Sequence, residues 1–513
     1  MTSTVPASTR DLYRPRLHYT CAQNWLNDPN GLVYHEGVYH LFYQHNPFGT
    51  GWGNMSWGHA TSTDLLTWTE RPVAILCDEE EQIFSGSAVV DEGNTAGFGG
   101  PGTTPLVAIY TSAYSEASAR PRIQAQSLAY SLDGGETWTK HSGNPVLDRG
   151  SENFRDPKVF RYDSPTGPYW VMVAVEATEQ RVLLHKSSNL IDWEYLSDFT
   201  ADGPDDILWE CPDLFELAID GDLTRTAWVL IVSVNPGGVA GGSGTRYFIG
   251  TFDGERFIEE PSAASGAGTA DDGGRQCGMS GPLGGGLRGS WLDWGRDYYA
   301  AVSFSGLPYR RVMIGWMSNW DYANSTPTEG WRSAMALPRE ISLRTVDGRV
   351  RLAQSPIAPE ATRTTDASDA VGRPLSARRT HLASMPRGSA CRVRLTAPAP
   401  ARGTFGLVFG AGGSEGACVT VDAAARAIRL DRTASGVVDF HELFPSVEHA
   451  PLDLLDGRIQ LEIYVDACSV EVFAQGGLST ITDLVFPQGE PTSIEFFASS
   501  DVTVDELEVA VLG

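Results

Sequence analysis

The sequence of 513 residues predicts an all-β protein, in which a five-bladed β-propeller is followed by a C-terminal β-sandwich. Short runs rich in Val, Ile, Tyr and Trp recur through the first two-thirds of the chain and end at Gly, Asp, Asn or Pro, which is typical of β-strands. Between residues 20 and 345 no amphipathic pattern is long enough for a helix of three turns. The strands predicted in this part are 38–43, 106–110, 170–175, 228–234, 298–304 and 312–317.

A loosely repeated segment predicts the propeller. Each copy contains a strand end, a polar turn with Asp or Asn, and then an aromatic residue, at positions 68, 138, 193 and 257. The aromatic residues are about 55 to 70 positions apart, which is the length of a four-stranded blade with its loops. Five such blades would occupy about 320 residues. The alternative is a set of unrelated hairpins that share the same turn chemistry.

The composition changes at about residue 346, where Trp disappears and short alternating strands follow. We therefore predict a propeller over 14–345 and a linker with a β-sandwich over 346–513. The Gly-rich stretch 262–290 is predicted to be a long loop at the propeller rim. The glycines of 410–416 lack the spacing of a nucleotide-binding loop and predict a hairpin turn. The sandwich strands predicted are 391–395, 404–409, 459–465, 469–473 and 493–497.

Charge and cysteine content narrow the classes of function. The net charge of −26 repels phosphate backbones, so we expect no nucleic-acid partner, whereas a neutral sugar is not penalised. No apolar run has the length of a membrane span. None of the seven cysteines forms a C-x-x-C pair, so a zinc or thioredoxin motif has no support. The N-terminus has no apolar signal region, which predicts a cytoplasmic protein if the chain is complete and an extracellular one if an export signal was removed.

Three acidic residues lie in specific surroundings. Asp28 stands between two asparagines and before a proline, which places its backbone in an extended or turn conformation. Asp156 follows Arg155 and also precedes a proline. Glu210 stands between a tryptophan and a cysteine, and burying a lone carboxylate costs free energy. Each acid alone could be part of a simple turn, but the three together on a chain rich in aromatic and amide residues predict a glycosidase.

Retaining cleavage of a glycosidic bond needs two neighbouring carboxyl groups, one of which attacks while the other exchanges a proton. The two flanking asparagine side chains can donate to Asp28 and keep it ionised, which predicts that Asp28 is the nucleophile. The apolar neighbours of Glu210 would favour its protonated form, which predicts that Glu210 is the acid/base. The adjacent charge of Arg155 would keep Asp156 ionised, and we expect Asp156 to hold sugar hydroxyls in the transition state.

Longer segments of the sequence resemble glycoside hydrolase family 32, which contains invertases, inulinases and levanases. The resemblance extends over nearly the whole chain, and in the C-terminal part residues 469–473 (SVEVF) are similar to a sandwich strand of that family. The matching segments of the N-terminal part are 25–31 (WLNDPNG), 42–47 (FYQHNP), 57–60 (WGHA), 84–87 (FSGS), 154–158 (FRDPK) and 210–212 (ECP).

This resemblance implies the same fold and a retaining double displacement on β-D-fructofuranosides. It also implies the same roles for Asp28, Glu210 and Asp156 as nucleophile, acid/base and transition-state stabiliser. By the same resemblance, the residues that line the fructose pocket are Asn27, Gln44, Trp52, Phe84, Ser85, Arg155 and Trp316.

The overall similarity favours the levanase and exo-inulinase types, which release fructose from chain ends of levan, inulin or sucrose-type fructans. One alternative is a levan fructotransferase, which makes difructose anhydride by transfer to a sugar hydroxyl. A more distant alternative is a protein that binds fructan without cleaving it. We expect a fructose-containing oligo- or polysaccharide as the partner and neither a metal ion nor a cofactor; the sequence leaves the oligomeric state open.

Overall fold

The computed structural model describes residues 12–201, 203–204, 206–260, 290–366, 374–375, 379–386, 388–412, 415–488 and 492–512. The described chain is almost entirely β-structure, as predicted, with short 3-10 turns at Ala177–Glu179 and Ala323–Ser325. No helix among these residues is long and apolar enough to span a membrane. The predicted rim loop 262–290 lies, except for its last residue, outside the described residues.

Five blades surround a central axis. Each of the first four blades is a meander of four consecutive antiparallel strands. Their strands are β1 Asn24–His35, β2 Val38–Asn46, β3 Ser56–Ser62 and β4 Thr69–Ile75; β5 Glu81–Val90, β6 Leu106–Tyr114, β7 Gln124–Ser131 and β8 Thr139–Lys140; β9 Phe154–Ser164, β10 Gly167–Glu176, β11 Arg181–Ser187 and β12 Glu194–Phe199; β13 Leu208–Ile219, β14 Asp222–Asn235, β15 Gly244–Phe252 and β16 Phe257–Glu259.

The fifth blade is interrupted by short strands. Its innermost strand pairs back towards the first blade, where the backbone of Ser305 exchanges hydrogen bonds with Leu32 and Tyr34 and closes the ring. The strands of this region are β17 Ser290–Trp291, β18 Tyr299–Ser303, β19 Arg311–Met317, β20 Trp331–Arg332, β21 Ala334–Met335, β22 Arg339–Val346 and β23 Arg349–Pro356. The hairpin of β22 and β23 spans residue 346, and the domain boundary predicted there stays a prediction.

The backbone of the repeated turn is hydrogen-bonded to an Asp or Asn side chain in the same way in four blades. In the first blade Asp64 accepts hydrogen bonds from the backbone of Leu66 and Thr67, and the Trp68 indole donates to the carbonyl of Leu65 at 3.1 Å. Equivalent backbone bonds occur around residues 133, 189 and 253, and the indole bond recurs at Trp138 and Trp193, whereas the ring of Phe257 has no N–H to donate. In each case the turn joins the third strand of a blade to the fourth, so the repeat in the sequence marks a repeated structural unit.

The C-terminal domain packs two antiparallel sheets of six strands against each other, in the orders β24-β37-β27-β32-β33-β34 and β26-β35-β28-β29-β30-β31. Alternating side chains of both sheets form one continuous apolar core. The predicted glycine turn joins β28 to β29, where Gly412 pairs with Glu415. The strands are β24 Ala361–Asp366, β25 Pro374–Leu375, β26 Thr380–Met385, β27 Ala390–Pro398, β28 Thr404–Gly412, β29 Glu415–Asp422, β30 Ala427–Asp431, β31 Val447–Pro451, β32 Arg458–Asp466, β33 Ser469–Ala474, β34 Ser479–Leu484, β35 Thr492–Ala498, β36 Val502–Thr503 and β37 Glu506–Leu512.

Buried charged residues connect the two domains, and we call them the interface cluster. Arg339 of β22 bonds Asp293 at 2.9 Å and Glu471 of β33 at 2.7 Å. His18, near the start of the described chain, lies between Asp466 at 2.8 Å and Glu471 at 2.7 Å. Each carboxylate in the interface cluster therefore has a cationic or hydrogen-bonding partner, which is the condition for burying charge at tolerable cost.

Candidate active site

The innermost strand of every blade is irregular at the same level of the propeller. A β-bulge or other shift of register interrupts its pairing with the next strand and redirects a side chain towards the axis. Asp28 and Asp156 lie within these interruptions, and Glu210 stands at the edge of one. The interruptions lie between Leu26 and Pro29, between Phe84 and Gly86, opposite Val173–Val175, between Glu210 and Asp213, and between Tyr299 and Val302.

Left-handed backbone accompanies the bulges in three blades. Asp156 has φ of 62°, Cys211 has φ of 47° and Ala300 has φ of 51°. Residues other than glycine rarely adopt this region, and such conformations are found where a site requires a particular side-chain direction. At Asp156 the turned backbone donates its N–H to Thr111 Oγ1 at 2.9 Å, which holds the acid in place.

Asp28 is held by neighbouring hydroxyl and amide groups. Ser85 Oγ donates to its Oδ2 at 2.7 Å, and Asn27 Nδ2 donates to its Oδ1 at 3.0 Å. The Trp25 indole donates to Asn27 Oδ1 at 2.6 Å and so orients the amide. The second flanking asparagine, Asn30, does not bond the acid; in the orientation that satisfies both ends of its amide, it donates to Ser85 Oγ at 3.3 Å.

The pKa of Asp28 does not follow the expectation from its asparagine neighbours. Burial raises the pKa of Asp28, and the nearby negative charge of Glu210 raises it further. The hydrogen bonds from Ser85 and Asn27 act in the opposite direction and do not restore the usual value. The amides therefore moderate a shift that burial dominates, because removing a carboxylate from water disfavours its charged form.

Glu210 has polar surroundings, which corrects the apolar environment expected from its neighbours in sequence. Trp209 and Cys211 are buried, but the Glu210 side chain remains 21% exposed. Side chains alternate across a strand, so adjacent apolar residues do not define the environment of the one between them. Arg155 donates to Glu210 Oε1 from Nε at 3.2 Å and from Nη2 at 3.0 Å, and the Tyr299 hydroxyl donates to Oε2.

Arg155 thus pairs mainly with Glu210, although the sequence places it next to Asp156. Its Nε is 3.9 Å from Asp156 Oδ2, while the backbone N–H of Cys211 donates to that oxygen at 2.9 Å. Burial raises the pKa of Asp156 to about 7 against the lowering effect of Arg155, and the charges of Glu210 and Asp28 add to the increase. The pKa of Asp156 therefore lies well above that of an ordinary aspartate.

The three acids form one cluster, in which the sulfur of Cys211 lies between Asp28 and Asp156. Its Sγ lies 3.6 Å from Asp28 Oδ2 and 3.7 Å from Asp156 Oδ2, while Glu210 is the preceding residue. Burial and the nearby carboxylates raise the pKa of the Cys211 thiol well above its usual value. The thiol is thus protonated and can act as a weak donor between two carboxylates.

The remaining predicted pocket residues differ in how far they reach the opening. Trp52 is 46% exposed, and its ring centroid lies 6.0 Å from that of Phe84. Gln44 is buried and donates to the carbonyl of Ile83 at 2.9 Å. Trp316 has no exposed surface, so its assignment to the sugar pocket stays a prediction that no contact supports. Trp320, which the sequence analysis passed over, packs between Trp316 and the exposed Trp52.

Two other residues at the cluster escaped the sequence analysis. Tyr299 belongs to an apolar strand, and nothing in its neighbourhood marks it as a partner of an acid. Thr111 supports the backbone of Asp156 from β6 of the preceding blade, and its hydroxyl also donates to Gln126 at 3.0 Å. Neither position carries a local signal, because both act through contacts between blades.

The fold and this site together define a class of protein. A propeller that brings carboxylates from different blades to one polar opening has the groups that a glycoside hydrolase needs. The chain belongs to glycosyl hydrolases family 32: the family's N-terminal domain matches residues 18–356 and its C-terminal domain matches residues 358–511.

Similar proteins cover nearly the whole chain. A levanase of Bacillus subtilis (strain 168) is 42% identical over 95% of this chain and 68% of its own length. An extracellular exo-inulinase of Aspergillus ficuum is 41% identical over 96% of this chain and 93% of its own. The crystal structure of an exo-inulinase from Aspergillus awamori superposes with a TM-score of 0.86 at 38% identity, covering 97% of this chain and 98% of that one. A β-fructofuranosidase from Schwanniomyces occidentalis, complexed with fructosyl-erythritol, gives a TM-score of 0.84 at 28% identity and covers both chains fully.

Proposed function

We propose that this protein is a retaining hydrolase that releases fructose from the ends of β-D-fructofuranoside chains such as levan and inulin. One observation carries the proposal: three carboxylates from three separate blades lie in one cluster, in which Cys211 contacts Asp28 and Asp156 while Arg155 bonds Glu210 and lies beside Asp156. The names of relatives that are 41–42% identical over nearly the whole chain support fructan as the substrate class.

The contacts suggest a role for each acid. Asp28 attacks the anomeric carbon and forms a covalent fructosyl intermediate. Its position is fixed by bonds to both oxygens. Glu210 protonates the leaving oxygen and then deprotonates the incoming water. Its 21% exposure suits a group that must exchange protons with substrate and solvent.

Asp156 is proposed to bind adjacent hydroxyls of the fructosyl ring. Its backbone is fixed by Thr111, and one carboxylate oxygen already accepts from the N–H of Cys211. An acid held so rigidly can bind the transition state without reorganising, which is where preorganised polar groups contribute most.

The propeller axis supports attack on chain ends rather than on internal bonds. Behind the acids a small void of about 10 Å³ is lined by Asn30, Ser85, Pro157 and Val302. Below it Lys158 and Asp213 fill the axis at a separation of 3.2 Å. A polysaccharide therefore cannot pass through the propeller, so a chain that enters along the axis does so by its end.

Product analysis tests the proposal. Levan, inulin and sucrose are incubated separately with the protein, and the products are separated by chromatography. Free fructose as the main product, with no oligosaccharides released early from levan or inulin, would support a hydrolase that acts on chain ends. A difructose anhydride would indicate the fructotransferase alternative, and the absence of any product from all three would leave a binding protein.

A further inference from the structure

A second cavity opens at the end of the propeller opposite the three acids. Its volume is about 1140 Å³. The acids lie near the starts of the innermost strands, whereas this cavity is lined by the ends of the same strands, including Tyr34 of β1, Val90 of β5 and Phe160 of β9. We call it the base cavity. The proposed reaction does not use it.

The base cavity is separated from the active site by a buried polar plug. Lys158 Nζ lies 3.2 Å from Asp213 Oδ2 and donates to the carbonyl of Ser303. The backbone N–H of Ser303 donates to the same Asp213 oxygen at 2.6 Å. These residues come from three blades and are almost fully buried. A ligand in the base cavity therefore cannot reach the acids through the axis and takes no part in the chemical step.

The charges that line the base cavity are mixed. Both acidic and basic side chains line it, although the whole chain carries a net charge of −26. A lining of both signs gives neither an anion nor a cation a net advantage, but it offers many acceptors and donors to hydroxyl groups. The charged residues are Glu36, Glu92, Lys158, Arg161, Asp213, Glu216 and Arg311.

Two polar atoms in the floor of the cavity have unused bonding capacity. Asp213 is 1% exposed, and its Oδ1 has no hydrogen-bond partner within the described part of the chain. Arg311 Nε is likewise buried and unpaired there. A buried polar group without a partner destabilises the fold. Both atoms belong to lining residues but are closed to solvent, so a ligand hydroxyl would pair with them only after the side chains of the floor rearrange.

Aromatic side chains provide apolar surface in the wall. Trp228 and Phe160 are partly buried, and their ring centroids are 5.7 Å apart. Tyr34 lies on the other side of the cavity and packs against Tyr39 at 4.7 Å. Rings that are fixed by packing and flanked by polar groups suit a ligand with both an apolar face and hydroxyls, which is the chemistry of a sugar ring.

We propose that the base cavity is a second, non-catalytic binding site for a segment of a fructan chain. The inference rests on the proposed function for the choice of sugar. The volume exceeds the roughly 300–1,000 Å³ of a typical small-molecule pocket and would hold several sugar residues. A polymer retained there keeps its free ends near the enzyme, so the effective concentration of substrate at the active site rises without any new contact to the acids.

Kinetics with substrates of different length test the inference. Thr104→Trp places a bulky ring at the exposed rim of the cavity, and Trp228→Phe trims its wall while keeping an aromatic core residue. Leu223→Trp is the matched control, because Leu223 is 82% exposed and does not line the cavity. We expect both cavity variants to raise KM for long levan or inulin about fivefold with kcat unchanged. Sucrose is too short to occupy both sites, so its KM and kcat should stay at the control values.

Binding is measured separately by electrophoresis through gels that contain levan or inulin, in a Glu210→Gln background that prevents cleavage. Thr104→Trp should reduce the retardation, and Leu223→Trp should not. Unchanged KM for polymer together with unchanged retardation in both cavity variants would overturn the inference, as would an equal rise of KM for sucrose. If the wild-type protein cleaves none of the three sugars, the proposed function fails, while retardation that depends on Thr104 would still support the second site.

Discussion

Two clusters of buried acids in this molecule are built on opposite electrostatic principles. In the interface cluster two cationic side chains lie beside three carboxylates, whereas in the active-site cluster a single arginine lies beside three. Carboxylates with enough cationic partners stabilise the contact between the domains, whereas carboxylates with too few partners remain able to exchange protons. The interface cluster comprises His18, Asp293, Arg339, Asp466 and Glu471, and the active-site cluster comprises Asp28, Arg155, Asp156 and Glu210.

In the interface cluster, ion pairing reverses the effect that burial has on the pKa of the carboxyl groups. Burial alone would raise the pKa of Glu471, but hydrogen bonds and charge from His18 and Arg339 lower it. His18 also lowers the pKa of Asp466 in the same way. In the active site, by contrast, burial and neighbouring carboxylates raise the pKa of both Asp28 and Asp156. Equal burial thus gives opposite shifts, and the number of nearby cations decides the direction.

The largest expected effect is on activity in the active-site cluster. Glu210→Gln and Asp28→Asn should each lower kcat for fructose release by roughly four orders of magnitude or more, because each removes a group that forms or breaks a bond. Asp28→Asn should unfold at or above the wild-type midpoint, since it removes one negative charge from a crowded cluster and leaves the pair of Arg155 with Glu210 intact. Near-normal turnover in either variant would contradict the assigned roles.

The next effect is on stability in the interface cluster. Arg339→Met should lower the free energy of unfolding by roughly 3–5 kcal/mol, because Asp293 and Glu471 stay buried without their cation. Denaturant unfolding measures the change. The matched control is Arg394→Met, which breaks the half-exposed pair with Glu462 at 2.9 Å and should cost roughly 0–1 kcal/mol. Equal losses in both variants would remove the distinction between the two clusters.

A smaller effect concerns the pH dependence of stability. Burial would lower the pKa of His18, but bonds to Asp466 and Glu471 raise it to about 9. The contribution of His18 is therefore complete below its unfolded pKa near 6.5 and is lost as the pH rises towards 9. We expect the unfolding free energy of the wild type to fall by roughly 3 kcal/mol across that window and His18→Gln to lack this slope. A flat wild-type profile would show that His18 is neutral at its site.

The smallest effect tests the hydrogen bonds at the proposed nucleophile. Ser85→Ala removes a bond that lowers the pKa of Asp28, so that pKa should rise. Because Asp28 must be ionised to attack, the acidic limb of kcat/KM should move to higher pH, and kcat/KM should fall roughly tenfold at its optimum. Ser87→Ala is the control, because Ser87 donates to the Pro157 carbonyl at 2.9 Å and does not touch Asp28. An unmoved acidic limb would contradict the assignment of that limb to Asp28.

Local patterns in the sequence were sufficient to predict the fold. The strands predicted at 38–43 and 312–317 lie within β2 and β19, because their apolar periodicity is decided by each segment alone. The repeated polar turn likewise depends on side chains within a few residues of each other. The three acids were also identified from the sequence, since each lies in an unusual segment.

Contacts between those segments could not be predicted in the same way. The sequence places Arg155 beside Asp156, but the bulged strands turn its guanidinium to Glu210 on another blade. The amides near Asp28 suggested an ordinary ionised acid, yet burial raises its pKa. Tyr299 had no local signal at all, although its hydroxyl bonds Glu210.

The sequence by itself determined which segments become strands, how often the blade repeats, and which three acids stand apart. Those properties depend on interactions over a few residues, where backbone preference and side-chain periodicity act directly. Only the tertiary structure decided which acid each cation pairs with and how far each carboxyl is buried. It also decided that the axis is closed between the active site and the base cavity. Those properties depend on distances between blades and on the exclusion of water, and both arise only when the ring of five sheets has closed.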